Sequence, residues 1–330
     1  MYFIGVDVHK DFSYVAILDK DGNIIKQGKV ANNKHSIQKF FSEFEKAKVA
    51  IEACGIFEPL IEIFKSIGYE VKLAHPLKTK LIAESKIKTD KVDANVLANL
   101  LRTNFLPESY LPKMEIRELR ELVRHRISLV RMRARIKNSI RRILIRRGIE
   151  IKDPFSKEGR KQLSDLKIYA IDNYLVLLDK YDELINKVSK EIKEKTNNNE
   201  DASLLMTIPG IGYFSALLIA SEIADINRFH SSKKLASYTG LVPSLNQSGI
   251  RKSYGKITKE GNRYLRWVLV QCAHVAIRQD ERFMKFYERI AKKSKQKAII
   301  AVARKLATIC YWVLKKRKPF NEVYTYPLSH

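Results

Sequence analysis

Three cysteines in 330 residues are too few, and too far apart, for a disulfide framework. Cys54, Cys272 and Cys310 form no CxxC pair, which argues against a thiolate zinc site and for a reducing, cytoplasmic compartment. Long apolar runs are missing as well. No stretch approaches the roughly 20 residues of a membrane helix, and the start MYFIGVDVHK lacks the order of features of a signal peptide. Between Glu115 and Arg147 there is neither glycine nor proline, so nothing interrupts a long helix there. Acidic residues are short only beyond the first third. Residues 1–110 hold 16 Lys+Arg against 14 Asp+Glu, and the remaining residues hold 46 against 22. A near-neutral domain joined to a basic body implies a polyanionic partner for that body, nucleic acid first of all.

The first 110 residues show the alternation of an α/β domain. YFIGVDV reads as a short apolar strand, and YVAILDKDGNIIKQGKV as two strands turning about Asp21-Gly22. Helices are expected over 35–46 and 57–67, strands at KVAIEA and YEVKLA, and a last helix from Asp90. Three strands in hairpin order, then alternating strands and helices, predict a mixed sheet with helices on its faces. The two prolines of NFLPESYLPK mark a linker.

Beyond it, Ile116, Leu119, Val123, Ile127, Val130 and Ala134 recur at helical, heptad-like spacing. A second helix near 167–195 repeats the pattern with Ile171, Leu175, Leu178, Ile185, Val188 and Ile192. Together they predict a helical hairpin or coiled-coil arm serving dimerisation. Its basic face, with Arg124, Arg131, Arg135 and Arg142, is expected to lie on a phosphate backbone. In LLMTIPGIGYFSALLIASEI, Pro209-Gly210-Ile211-Gly212 separates two apolar helices, a helix-hairpin-helix-like motif. Gly210 and Gly212 would let backbone N–H groups approach a phosphate; an ordinary turn between packed helices is the alternative. The expected domains are 1–110, then 111–200 as the arm, then 201–330 as a small helical domain.

KIKTDKVDANVLANLLR sets Asp90 and Asp93 three residues apart at a helix start. They are cap and dipole partners, or metal ligands, and for Asp90 the two readings are not exclusive. Asp7 inside IGVDVHK and Glu52 at the end of VAIEACG are carboxylates on apolar strands, where a cation or a donor is needed. The four offer hard oxygen ligands for a pair of Mg²⁺ ions, the arrangement used for in-line attack at phosphate. His9 and Lys10, beside Asp7, are within reach of a phosphate.

GVDVHK, IEACG and KTDKVDANVLANLL, in this order, closely resemble the DEDD transposases of the insertion sequence 110 family. The block LASYTGLVPSLNQSGIRKSYGKITKEGNRYLRWVLVQCAHVA is similar to that family's second domain, and the resemblance runs from residue 2 to about residue 315. It implies a RuvC-like, RNase H-type N-terminal domain with catalytic, Mg²⁺-binding carboxylates at Asp7, Glu52, Asp90 and Asp93. It also implies a serine nucleophile, matched here by Ser248 in NQSGIRKSYGK. A Ser-Gly turn presents its hydroxyl with little crowding, and Arg251, Lys252, Lys256 and Arg263 stand near enough in sequence to meet developing negative charge. The family further implies DNA cutting and rejoining through a phosphoserine link, guided by a structured bridge RNA that pairs with donor and target DNA. Synapsis of two duplexes implies dimers joined as a tetramer. Two rival readings are a metal-only nuclease of the Holliday-junction-resolvase type and a non-catalytic nucleic-acid-binding relic.

Overall fold

A computed structural model describes residues 1–53, 57–82, 89–248 and 251–324, with the backbone alone at 245–248, 251, 252 and 254. The chain forms two compact units that divide between Pro112 and Lys113.

In the first unit β1 (Tyr2–Val8), β2 (Phe12–Leu18) and β3 (Ile24–Ala31) make an antiparallel meander. Its second turn follows the Asp-Gly signal, with the Asp19 carboxylate accepting the N–H groups of Asp21 and Asn23. α1 (Lys34–Phe40) is shorter than the 35–46 helix expected, because the chain leaves it to bury Phe41 and Phe44. β4 (Ala47–Glu52) runs parallel to β1, α2 (Glu58–Ser66) crosses over, and β5 (Glu70–Ala74) joins parallel to β4. α3 (Pro76–Ile82) and α4 (Asp90–Arg102) follow. The two-residue β6 (Glu108–Ser109), inside the expected linker, pairs antiparallel with β5. Among the described residues the sheet order is β3-β2-β1-β4-β5-β6, the mixed RuvC-like sheet that the sequence implies.

The strand alternation gives this sheet two different faces. Ile4, Val6, Val49 and Ile51 point to one side and pack with Leu60, Ile61 and Phe64 of α2. The other side carries Gly5, Ala50 and Ala74 and receives Leu97 and Leu101 of α4. A Cβ at Gly5 would collide with the Ala94 carbonyl and the Ala98 amide, so β1 and α4 cross nearly backbone to backbone. Asp7 lies two residues along from Gly5, and Asp90 lies one turn before Ala94. The crossing that needs a glycine is thus the crossing that brings these carboxylates together.

In the second unit α5 (Met114–Arg146) packs along α7 (Tyr169–Asn197). α6 (Lys157–Asp165) closes one end of the pair, where Ile140, Leu144, Leu163, Ile171 and Leu178 are buried together. Ile171, Leu178, Ile185 and Ile192 are buried at heptad intervals on α7. On α5 the expected seam holds at Val123 and Ile127, but Ala134 is exposed and Ile136 packs inward nearby. Isoleucine has far more apolar area to bury than alanine, which favours that rotation.

α8 (Glu200–Met206) and α9 (Tyr213–Ile223) flank the Pro209–Gly212 turn. α10 (Ser232–Tyr238), a hairpin of β7 (Pro243–Ser248) and β8 (Arg251–Ile257), α11 (Arg263–Gln279), α12 (Glu281–Ala291), α13 (Lys295–Lys316) and α14 (Phe320–Val323) complete the unit. One apolar core joins α8, α9, α11 and α13 with Val123 and Ile127 of α5 and Ile192 of α7. The β7–β8 hairpin is an addition within the mainly helical C-terminal region expected. Its sequence is polar and lacks the alternation by which a strand is recognised. Cys272 and Cys310 are free, buried thiols, and burial pushes the Cys272 thiol up to about 11. Cys54 lies outside the described residues. No helix among the described residues is long and apolar enough to cross a membrane.

Candidate metal centre and nucleic-acid surface

Asp7 and Glu52 come from adjacent parallel strands. Val6 stands beside Ile51 in the register, so the next residues are neighbours on the face that α4 covers. The cap of α4 is Thr89, whose Oγ1 accepts the Val92 N–H at 3.3 Å. Asp90 is left to turn toward β1. His9 Nε2 lies 3.3 Å from Asp7 Oδ2 and 3.2 Å from Asp90 Oδ2, yet is aligned as a hydrogen bond to neither. One donor atom each from Asp7, His9 and Asp90 falls within 4.8 Å of the others. Burial pushes the Asp7 carboxyl above its ordinary 3.8; Asp93 and Asp90 push the same way, and His9 opposes them. Glu52 and Asp93 are not among these three converging groups, although Asp93 is close enough to act on the charge of Asp7. A carboxyl raised chiefly by burial, with the Asp90 carboxylate close by, would gain from a cation, and oxygen donors suit Mg²⁺. The residues fit the ion.

Ser248 is the last residue of β7, opposite Arg251 in the hairpin register. Its side chain, and those of Arg251 and Lys252, lie outside the described residues. Lys10 in the first unit is exposed, as are Arg131, Arg135, Arg142, Lys256 and Arg263 in the second. Arg124 is placed differently. Its guanidinium donates to both carboxylate oxygens of Glu222, at 2.7 and 2.9 Å, and Glu222 is completely buried. The same carboxylate accepts Asn262 Nδ2 at 2.7 Å, while Arg120 donates to the carbonyls of Ser221 and Glu222. Burial pulls the Arg124 guanidinium down, but its bonds to Glu222 more than offset this and hold it above its ordinary value. Asn262 also caps α11, just after β8, so Glu222 ties α5 and α9 to the exit of the hairpin. Nothing in LLIASEIA beyond a lone acid in an apolar run signals this knot.

Gly210 has φ of 84°, and a Cβ there would strike the α11 backbone at Cys272 and Ala276. Its N–H donates to Gln279 Oε1 at 2.8 Å, and the Gly212 N–H donates to Ser215 Oγ at 2.9 Å. Both amides therefore have protein acceptors. A cleft of about 330 Å³ opens at Gly212, lined also by Arg126, Lys193, Tyr213 and Phe214. Arg126 sits 4.5 Å above the Phe214 ring, and Lys193 sits 5.2 Å above Tyr213.

A mixed sheet with acidic groups gathered over its central strand, in one chain with a basic helical body, is the organisation of an enzyme that acts on nucleic acid. Residues 4–146 match a DEDD model of the IS110 type described as "Transposase", and residues 202–288 match "Transposase IS116/IS110/IS902 family". The chain is 26% identical over 338 residues to the transposase for insertion sequence element IS1111A of Coxiella burnetii, covering 96% of this chain and 91% of that one. It is 27% identical over 334 residues to the transposase for insertion sequence element IS1328 of Yersinia enterocolitica, covering 97% and 98%. A pilin gene-inverting protein of Moraxella bovis is 32% identical over 281 residues, covering 82% of this chain and 81% of that one. The chain belongs to the IS110 family of transposases.

Proposed function

We propose that this transposase cuts and rejoins DNA with Ser248 as nucleophile, with Asp7, Glu52, Asp90 and Asp93 holding Mg²⁺, and with a structured bridge RNA selecting the sites. The observation that carries the metal part is the gathering of Asp7, His9 and Asp90 donor atoms within 4.8 Å of one another, where burial pushes the Asp7 carboxyl up. Bound there, Mg²⁺ would supply positive charge to a scissile phosphate. The serine assignment is supported by the family and by the position of Ser248 at the tip end of β7.

In the step proposed, Ser248 Oγ attacks phosphorus, an ester bond to serine forms, and the bond to a deoxyribose oxygen breaks. That oxygen leaves as a hydroxyl, so the serine proton is balanced by the proton it gains. The phosphodiester energy is kept in the serine ester, and rejoining is the same exchange in reverse with a new hydroxyl. Lys256 and Arg263, with Arg251 and Lys252, supply positive charge along the DNA. The exposed Arg131, Arg135 and Arg142 of α5 contact phosphates of RNA or DNA, and Lys10 does so in the first unit. The cleft at Gly212 adds a phosphate contact through Arg126 and Lys193. Homodimers that join as tetramers would hold two duplexes, and the free buried thiols suit a cytoplasmic location.

A covalent-trapping assay tests this reading. The chain, expressed with its element's flanking sequence as RNA, is mixed with element-junction DNA and Mg²⁺ and then denatured. A protein–DNA adduct lost in Ser248→Ala and in Asp90→Asn is expected. Free cleaved DNA with no adduct, unchanged in Ser248→Ala, would replace the serine with water. Activity that survives removal of the RNA would remove the guide.

A further inference from the structure

We propose that His9 is itself a ligand of the metal, bonding through Nε2 to the ion that Asp7 and Asp90 hold. The inference rests on the metal reading above and adds to it a nitrogen donor. Two donors bonded to one ion at about 2.2 Å and at right angles stand about 3.1 Å apart. The separations of His9 Nε2 from Asp7 and Asp90 oxygens, 3.3 and 3.2 Å, are of that size. Ordinary hydrogen bonds would align the imidazole on one oxygen. Here Nε2 is shut off from solvent and lies at nearly equal distances from the two carboxylates, without the alignment of a hydrogen bond to either.

The ring is also held in place. It stacks on Phe12 with centroids 4.7 Å apart. Its backbone N–H donates to the Phe12 carbonyl at 3.0 Å, and its carbonyl accepts Asn32 Nδ2 at 2.8 Å. Ser13 Oγ in turn donates to Asn32 Oδ1 at 2.6 Å. A side chain that merely brushed phosphate would gain nothing from such support, whereas a ligand gains pre-organisation. A mixed nitrogen and oxygen set favours Mn²⁺ and later divalent ions over Mg²⁺ more strongly than carboxylates alone.

The test uses the full chain freed of nucleic acid and loaded with Mn²⁺. Pulsed electron paramagnetic resonance should show nitrogen modulation from a directly bonded imidazole, changing to the ¹⁵N pattern when histidine is labelled. In His9→Ala the modulation should vanish and Mn²⁺ affinity, measured by calorimetry, should fall about 10- to 100-fold. His9→Gln, which keeps a polar side chain, should also lose the modulation, with circular dichroism showing both variants folded. Mn²⁺ binding that needs Asp7 and Asp90 but shows no nitrogen modulation in the unaltered chain would overturn the His9 assignment and leave the metal centre standing. Mn²⁺ binding indifferent to Asp7→Asn and Asp90→Asn would remove the metal centre, and His9 with it.

Discussion

At Asp7, burial and two like charges act on one carboxyl, so its ionised form costs the metal-free fold stability that a neutral amide would not. A carboxyl whose folded pKa lies above its unfolded value favours folding most at pH below 3.8. That contribution is lost as pH rises through the raised folded pKa. Asp7→Asn has no such dependence. In chelator it should melt higher than the unaltered chain at neutral pH, the gap closing as pH falls below the raised value; Mg²⁺ should then raise the melting point of the unaltered chain alone. A variant that melts lower in chelator would mean that Asp7 is satisfied by His9 without any ion. Glu222 presents the opposite case, a carboxylate fully buried but fully paired. Glu222→Ala strands Arg124 and frees Asn262, and should cost about 3–5 kcal/mol by denaturant unfolding. Glu222→Gln, which keeps hydrogen-bonding capacity, should cost less.

The elements differ in how far their residues announce them. The meander and its Asp-Gly turn, the two parallel strands and α4 all follow from alternation, turn chemistry and helical spacing. The carboxylates Asp7 and Glu52 stood out as charges on apolar strands, and the register makes their strand ends neighbours. Asp90 is ambiguous in the sequence because Thr89 and Asp90 are both good caps; only the bond that the Val92 N–H donates to the Thr89 side chain separates them. His9 was visible beside Asp7 but not its aim, which depends on how α4 crosses β1. The β7–β8 hairpin could not be read, since a strand polar on both faces has no period to detect. Gly5 gives the crossing a direct test. Gly5→Ala inserts a methyl into the α4 backbone and should destabilise the first unit by about 1–3 kcal/mol while pushing Asp90 away from Asp7. Divalent-ion affinity should fall in parallel with the melting point. Unchanged melting and unchanged ion binding would mean that the crossing yields without cost and does not set the site.

Across the whole molecule, the Asp7–His9–Asp90 cluster lies in the first unit, and nearly all the net positive charge lies in the second. Binding driven by Lys and Arg contacts to phosphate releases counterions, so affinity falls with salt in proportion to the number of contacts. That slope can sort the arginines of α5, which a sequence reading groups together. Arg131, Arg135 and Arg142 are exposed, while Arg124 is bound to Glu222. Replacing the three exposed arginines together by Ala should lower the slope of log affinity against log salt by roughly 3, with little change in thermal melting. Arg124→Ala should lower the melting point and leave the slope where it was. Fluorescence anisotropy of a labelled duplex, titrated at several salt concentrations, measures the first, and calorimetric melting measures the second. If Arg124→Ala lowers the slope without changing stability, Glu222 is a resting partner that Arg124 leaves for phosphate. The knot that ties α5 and α9 to the hairpin exit would then open whenever nucleic acid binds.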